Sequence, residues 1–336
     1  MVRGKTTETP MVDNSIPMIE EPIRLKHNRE LADKYYLANS LPKRYPWVGE
    51  QIQTLPLEKQ LYPFGYNPTI TRSAYEKMLL CYRYHTDSLS TKLALAEISE
   101  NGKVLRNGPL ELAGQSVEDP KFFTVAGQLH LSWVETKWPD TVKSVVKYSA
   151  FKDEKITKAI QLPIGNNDWS HVEKNWCFFE RDGVFYCVYQ RHPVQKIFRI
   201  ENEWPTALPE TPGPCWPYGA IKGGTAPLNY EGKLLTFCHA TLDNDLWQPR
   251  RRYYIAACLM NPKPPFEIVQ VSKKPVIYGS EDDQLTDEER KVCIQYKRKV
   301  VFPGGAVESD GYWLLALGMN DSACVIAKIR SSQLNF

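Results

Sequence analysis

One short unit, a turn followed by an apolar strand, returns five times along this chain and constrains its architecture more than any other feature. It reads Ala126-Gly127-Gln128-Leu129-His130-Leu131-Ser132-Trp133, then Asp182-Gly183-Val184-Phe185-Tyr186-Cys187-Val188-Tyr189. It returns as Glu231-Gly232-Lys233-Leu234-Leu235-Thr236-Phe237-Cys238 and as Asp310-Gly311-Tyr312-Trp313-Leu314-Leu315-Ala316-Leu317. A copy with no glycine in its turn is Tyr75-Glu76-Lys77-Met78-Leu79-Leu80-Cys81-Tyr82. The units start at intervals of roughly 50 to 80 residues, the period of four-stranded propeller blades. Further strand-like runs follow at Lys92–Ile98, Val145–Phe151, Tyr253–Leu259 and Ala323–Ile329. The pattern predicts an all-β, five-bladed β-propeller over residues 61–336; a β-sandwich of this length would not need the repeated unit.

Residues 1–60 have a different character, rich in Pro, Glu and Lys. Leu31, Tyr35 and Leu41 give Asn28–Leu41 a helical spacing, with Asn28 as a cap and Pro42 as a stop. We expect an N-terminal arm with one short helix, packed on the propeller or on a neighbouring subunit of a homo-oligomer. The chain offers no apolar leader segment and no run of membrane-spanning length. Its eight cysteines form no CxxC pair, and most sit in apolar strand-like runs. Reduced, buried thiols in a cytoplasmic protein are the expectation. A net charge of +3 over 336 residues does not call for nucleic acid or an acidic membrane as partner. Aromatic residues make up 12% of the chain, and in a β-rich protein most of them are core.

In a small propeller the innermost strands line a central funnel, so polar residues at the mouth of each converge from distant parts of the chain. Five such segments precede the five units at one phase. They are Tyr66-Asn67-Pro68-Thr69, Ser116-Val117-Glu118-Asp119-Pro120-Lys121, Glu173-Lys174-Asn175-Trp176, Lys222-Gly223-Gly224-Thr225-Ala226-Pro227 and Val301-Phe302-Pro303-Gly304-Gly305-Ala306. Taken singly, Asp119 reads as a turn residue before proline, Lys174 and Arg191 as solvated charges, and His239 as a core histidine. The shared phase of the mouth segments favours one site with Asp119 in it, and for Lys174, Arg191 and His239 both readings stay open at this point.

The order of these segments resembles the β-mannoside phosphorylases and hydrolases of glycoside hydrolase family 130, which are five-bladed propellers. The resemblance covers residues 62–336. It rests on an Asn-Pro followed by Tyr82-Arg83, on Glu118-Asp119-Pro120-Lys121, and on Lys174-Asn175-Trp176 followed by Tyr189-Gln190-Arg191-His192-Pro193. It continues through Gly223-Gly224-Thr225-Ala226-Pro227 with Phe237-Cys238-His239, then Val300–Gly305 with Gly318-Met319-Asn320-Asp321. The resemblance implies that Asp119 is the general acid and that Lys174, Asn175, Arg191 and His239 hold inorganic phosphate. It implies that Asn67, Arg83, Glu118, Lys121 and Asp321 contact phosphate or sugar. Two departures stand out: Lys121 and Lys174 occupy positions where the family usually has arginine, keeping the charge but losing the bidentate fork.

Inverting hydrolysis needs an acid and a base, whereas phosphorolysis needs one acid and a cationic cradle for an anionic nucleophile. One well-placed carboxylate, Asp119, beside Arg83, Lys174, Arg191 and His239 favours phosphorolysis of a β-mannoside or a related β-linked oligosaccharide. Phosphate is then a co-substrate, and no cofactor or metal is called for. A hydrolase would recruit Glu118, Glu173 or Asp321 as base, and a silent glycan- or protein-binding propeller is the third reading. No zinc, nucleotide or serine-hydrolase motif occurs.

Overall fold

The computed structural model describes residues 53–56, 61, 65–86, 90–112, 114, 116–137, 143–243, 251–278, 300–321 and 323–336. The helix expected at Asn28–Leu41 lies outside them, as does Cys293.

The strands are β1 (Gln53–Pro56), β2 (Tyr66–Arg72), β3 (Met78–His85), β4 (Thr91–Ile98) and β5 (Val104–Leu110). Then follow β6 (Ser116–Val125), β7 (Gln128–Lys137), β8 (Lys143–Lys152) and β9 (Lys155–Ile156). The middle of the chain holds β10 (Cys177–Arg181), β11 (Val184–Gln190), β12 (Val194–Glu201), β13 (Trp204–Ala207) and β14 (Thr211–Pro212). Next come β15 (Ala220–Gly224), β16 (Leu228–Tyr230), β17 (Lys233–Asp243), β18 (Arg251–Met260), β19 (Ile268–Val271) and β20 (Ile277–Tyr278). The last are β21 (Val301–Ser309), β22 (Tyr312–Met319) and β23 (Ala323–Arg330).

They assemble into five antiparallel sheets, four of which run outward in chain order: β2-β3-β4-β5, β6-β7-β8-β9, β10-β11-β12-β13 and β15-β17-β18-β19. The fifth runs β21-β22-β23 and is completed by β1, with Gln53 opposite Lys328 and Pro56 opposite Val325. Residues assigned by sequence to the N-terminal arm thus supply the outer strand of the last blade. The five-bladed propeller is as the repeat predicts.

Each repeated unit is the second strand of a blade and the turn that leads into it. In four turns both central residues are left-handed: Ala126-Gly127, Asp182-Gly183, Glu231-Gly232 and Asp310-Gly311. That is the type I′ geometry whose twist matches paired strands, with glycine at the second position. The second strands read as unbroken apolar runs because both faces of a blade are covered. Leu79 and Cys81 pack against Leu131 and Trp133 of the second blade, while Leu80 and Tyr82 pack against Leu314 and Ala316 of the fifth. Leu315 and Leu317 then meet Phe237 and Ile255 of the fourth. Comparable seams join the second blade to the third and the third to the fourth. Alternation within one strand therefore serves two neighbours rather than core and water.

At the axis the first strands lie against one another, β2 against β21 and β6, and β6 against β10. Four of them break register at the polar segments: between Tyr66 and Thr69, Glu118 and Lys121, Ile221 and Gly224, and Pro303 and Gly305. A bulge turns a side chain out of the ladder and aims it elsewhere, here at the funnel. Neighbouring inner strands approach so closely that a Cβ on Gly223 would lie 2.0 Å from the Asn175 carbonyl oxygen. A Cβ on Gly304 would lie 2.1 Å from the carbonyl oxygen of Pro68.

Among the described residues no helix is long and apolar enough to cross a membrane. The described cysteines are all free, and all but the exposed Cys215 are buried. Because backbone cannot yield cheaply, Gly223→Ala is expected to destabilise by about 1–3 kcal/mol or more. Gly108→Ala, where an added Cβ meets nothing within 4 Å, is expected to cost nothing measurable. Denaturant unfolding of the two variants beside the parent checks the contrast.

Candidate active site

Asp119 and Asn67 occupy equivalent bulges on adjacent blades. Both stand before a proline, and both are left-handed, with φ of 52° and 49°. A residue before proline is pressed toward extended backbone, so two such residues mark strain held in place by the surrounding strands. The result is direct contact: Asn67 Nδ2 donates to Asp119 Oδ1 at 2.8 Å. Arg83, on β3, reaches the same oxygen at 3.5 Å and forms a closer ion pair with Glu118. Its guanidinium lies 4.0 Å above the Tyr66 ring, whose hydroxyl pairs with His85 Nε2 at 2.9 Å. Among the described residues Arg83 Nε, though buried, has no hydrogen-bond partner.

Burial opposes the charge on all three groups, and their neighbours sort them. Burial pushes Arg83 toward losing its proton, but Tyr66, Asp119, Glu118 and Asp321 together hold it well above the ordinary range. Burial also raises Asp119, yet Arg83, the Asn67 amide, Lys174 and Lys121 outweigh it and leave that carboxyl below the ordinary value. Glu118 goes the other way. Burial lifts it, Asp119 adds to the lift, and Arg83 and Lys174 only partly compensate. Two adjacent carboxyls sharing one guanidinium thus divide into an ionised Asp119 and a Glu118 that more readily keeps a proton.

His239, on β17, is buried with its Nδ1 2.5 Å from the Gly223 carbonyl oxygen, which makes Nδ1 the protonated nitrogen and leaves Nε2 an acceptor. The ring stacks on Tyr253 at 5.7 Å and tilts against Phe302 at 5.1 Å. Burial first, then Lys121 and Lys222, lower its pKa to about 3. It therefore contributes no positive charge at neutral pH, unlike the cation anticipated from sequence. Lys121 Nζ donates to the Trp176 carbonyl at 3.1 Å and faces the Phe302 ring at 5.8 Å.

The remaining candidates divide. Lys174 is exposed at the rim and acts on both Glu118 and Asp119; Asn175 beside it is left-handed, with φ of 68°. Asp321 follows Asn320 in a left-handed pair and bears on Tyr66 and Arg83. Arg191 is turned elsewhere. It is 2% exposed, and its guanidinium donates to Gln195 Oε1 at 3.3 Å and Thr236 Oγ1 at 3.4 Å, between the third and fourth blades. Glu173, a possible base by sequence, is saturated: Tyr189 Oη at 3.0 Å, Asn166 N at 3.1 Å and Trp176 Nε1 at 3.3 Å all donate to it.

Tyr66, His85, Lys222 and Phe302 complete the cluster and were not singled out from sequence. Lys222 had a legible signal, since it stands in the bulge that corresponds to Asp119. The arrangement joins one fixed carboxylate, a second carboxyl of opposite proton affinity, and lysines from three blades. Such a set can donate a proton beside a bound anion. Among the described residues no group of three or more His, Cys, Asp and Glu side chains is arranged to hold a metal ion.

No family model matches the sequence, and no curated protein matches it. Solved structures do share the fold. A mannose phosphorylase from Leishmania mexicana, in complex with phosphate ion, superposes with a TM-score of 0.62 at 16% identity, covering 91% of this chain and 93% of its own. A protein from Parabacteroides distasonis proposed to be a glycoside hydrolase gives 0.61 at 15% identity over 89% and 96% of the two chains. The β-1,2-mannobiose phosphorylase from Listeria innocua gives 0.59 at 12% identity over 88% and 94%. At these identities the likeness is one of fold.

A histidine held neutral by its surroundings destabilises the fold only once the unfolded chain takes up its proton. This penalty is absent above pH 6.5 and grows as the pH falls toward about 3. NMR titration is expected to show no protonation of His239 between about pH 8 and 4. His239→Gln is expected to flatten the loss of thermal stability over the acidic part of that window.

Proposed function

We propose that this protein is an inverting glycoside phosphorylase acting on β-mannosides or related β-linked oligosaccharides, with Asp119 as general acid and inorganic phosphate as nucleophile. The observation that carries the reading is the contact of Asp119 with Asn67 and Arg83 from a neighbouring blade, beside the lysine cluster. In the reaction a phosphate oxygen forms the new bond to the anomeric carbon. The bond from that carbon to the leaving oxygen breaks on the opposite face. The leaving oxygen takes a proton from Asp119, directly or through a sugar hydroxyl, and the products are an α-configured sugar 1-phosphate and a shortened acceptor. Lys121, Lys174, Lys222 and Asn175 hold the phosphate, and His239 Nε2 accepts a hydrogen bond from a phosphate or sugar hydroxyl. Asn67, Arg83, Glu118 and Asp321 line the sugar. Arg191, committed to the packing of two blades, is left out of the phosphate set.

An ionised Asp119 is no obstacle to this role. Phosphate binding neutralises the cations that hold the carboxyl down, and bound sugar excludes water, so both push it toward its protonated form. The likeness to a phosphorylase crystallised with phosphate supports the choice of nucleophile. Asp321, a third carboxylate whose charge bears on Tyr66 and Arg83, is the feature that favours hydrolysis instead, as the base that inversion by water requires.

Sugar release from β-linked manno-oligosaccharides in the presence and absence of phosphate separates the readings. Phosphate-dependent release supports phosphorolysis, phosphate-independent release supports hydrolysis, and binding without turnover supports a silent propeller. Asp119→Asn is expected to lower kcat by about 10²–10⁴-fold, the usual share of a positioned acid, with the melting temperature held within a few degrees. Lys174→Ala is expected to raise the KM for phosphate far more than that for glycoside. Arg191→Ala is expected to act on thermal stability rather than on phosphate KM.

A further inference from the structure

Glu173, Lys174, Asn175 and Trp176 precede β10 and belong to no strand, so no ladder of backbone bonds fixes them. Lys174 is exposed and Asn175 half-buried, whereas Glu173 and Trp176 on either side are 7% and 2% exposed. Trp176 offers its carbonyl to Lys121 Nζ at 3.1 Å. The Asn175 carbonyl lies so close to Gly223 that no side chain fits there. Lys121, Lys174 and Asn175, all assigned above to phosphate, therefore depend on where this one stretch is held.

Glu173 is what holds it. Its backbone is tied to the second blade: the N–H donates to the Ser144 carbonyl at 3.2 Å, and the carbonyl accepts from Ser144 Oγ at 2.8 Å. Its side chain crosses to the third. Oε1 accepts from Tyr189 Oη at 3.0 Å and from Asn166 N at 3.1 Å, and Oε2 accepts from the Trp176 indole at 3.3 Å. Gly165 leaves Tyr189 its seat, since a Cβ there would lie 2.4 Å from the Tyr189 hydroxyl. All three donors to the carboxyl are neutral, and apolar packing of the same shape can stabilise a seam as well as buried polar bonds do. What packing cannot supply is direction. The bond from Trp176 back to Glu173 closes a loop around Lys174 and Asn175 and fixes the way they face.

We propose that Glu173 is a positioning residue for phosphate, bridging two blades so that Lys174 and Asn175 stay turned toward the anion. The inference rests on the phosphorolytic reading given above. Glu173 acts through its neighbours, its own oxygens being already taken.

Glu173→Gln is the discriminating variant. The amide oxygen can take the place of Oε1 and keep Tyr189 and Asn166, but the amide nitrogen then meets the Trp176 N–H, donor against donor. Titration calorimetry with inorganic phosphate reads the outcome directly. Glu173→Gln is expected to weaken phosphate binding by about tenfold or more, as stranding a buried donor does. The KM for a β-linked manno-oligosaccharide at saturating phosphate is expected to change by less than about threefold, since the sugar contacts are untouched. In a Lys174→Ala background the same substitution is expected to cost less than in the parent, because a residue it positions is gone.

A lowered melting temperature with the phosphate affinity of the parent intact would make Glu173 a structural tie only and overturn the proposal. Equal losses in the parent and Lys174→Ala backgrounds would overturn it too. Should the parent not bind phosphate, or bind it equally well after Lys174→Ala, the phosphate assignment itself fails and this inference with it. Affinity lost in Lys174→Ala yet kept in Glu173→Gln sinks this inference alone. If Glu173→Gln does not fold, Trp176→Phe removes the same bond from the other partner, keeps an aromatic ring, and is expected to weaken phosphate binding alike.

Discussion

Five inner strands meet around one axis here only because backbone comes against backbone, and this crowding governs the rest of the molecule. Where β15 meets the segment before β10, and where β21 meets β2, glycine is the residue that fits. Chain that cannot stay in register under such crowding bulges, and the bulges fall at one height on successive blades. A packing constraint thereby becomes a chemical one. The residues at these bulges include Asn67, Asp119 and Lys222, and the first two are brought into direct contact with left-handed backbone angles that the surrounding strands maintain. The functional cluster and the tightest packing are two aspects of one geometry.

Much of this was legible in the sequence, for an identifiable reason. A type I′ turn demands glycine or its few substitutes, and a blade covered on both faces demands an unbroken apolar strand, so the unit leaves a mark at every repeat. The polar mouth segments were visible through their phase relative to those marks. What the sequence could not convey was the direction of side chains outside the repeat. Arg191 follows β11 as Lys174 precedes β10, and both read as exposed cations, yet one is on the rim and the other is sealed between blades. The resemblance places His239 in a cationic cradle, whereas burial holds it neutral. Its protonation depends on a carbonyl sixteen residues away and on lysines from two other segments. Fold came from local rules; charge state came from distant neighbours.

The electrostatics of the funnel are those of a poised rather than a relaxed site. The carboxyls at 118 and 119 and the guanidinium at 83 share one desolvated space, in which the proton affinity of each is set by burial and by the others. Such a network answers to any ligand that alters the balance, since neutralising one member moves the rest. An anion entering among the lysines would therefore be felt at Asp119 without any movement of the backbone.

The pairing of β1 with β23 carries a consequence for how the ring comes into being. Gln53–Pro56 precede their hydrogen-bond partners at Val325–Lys328 by some 270 residues. Bringing those ends together is the loop of greatest contour length in the structure, and its entropic penalty grows only logarithmically, by roughly 0.6 kcal/mol per doubling. Four blades can consequently stack on the ribosome as an open crescent, each able to fold against the one before it. The circle closes when the fifth blade packs its inner strands on the first and takes β1 as its outer strand, so that the two far ends of the described chain share one sheet.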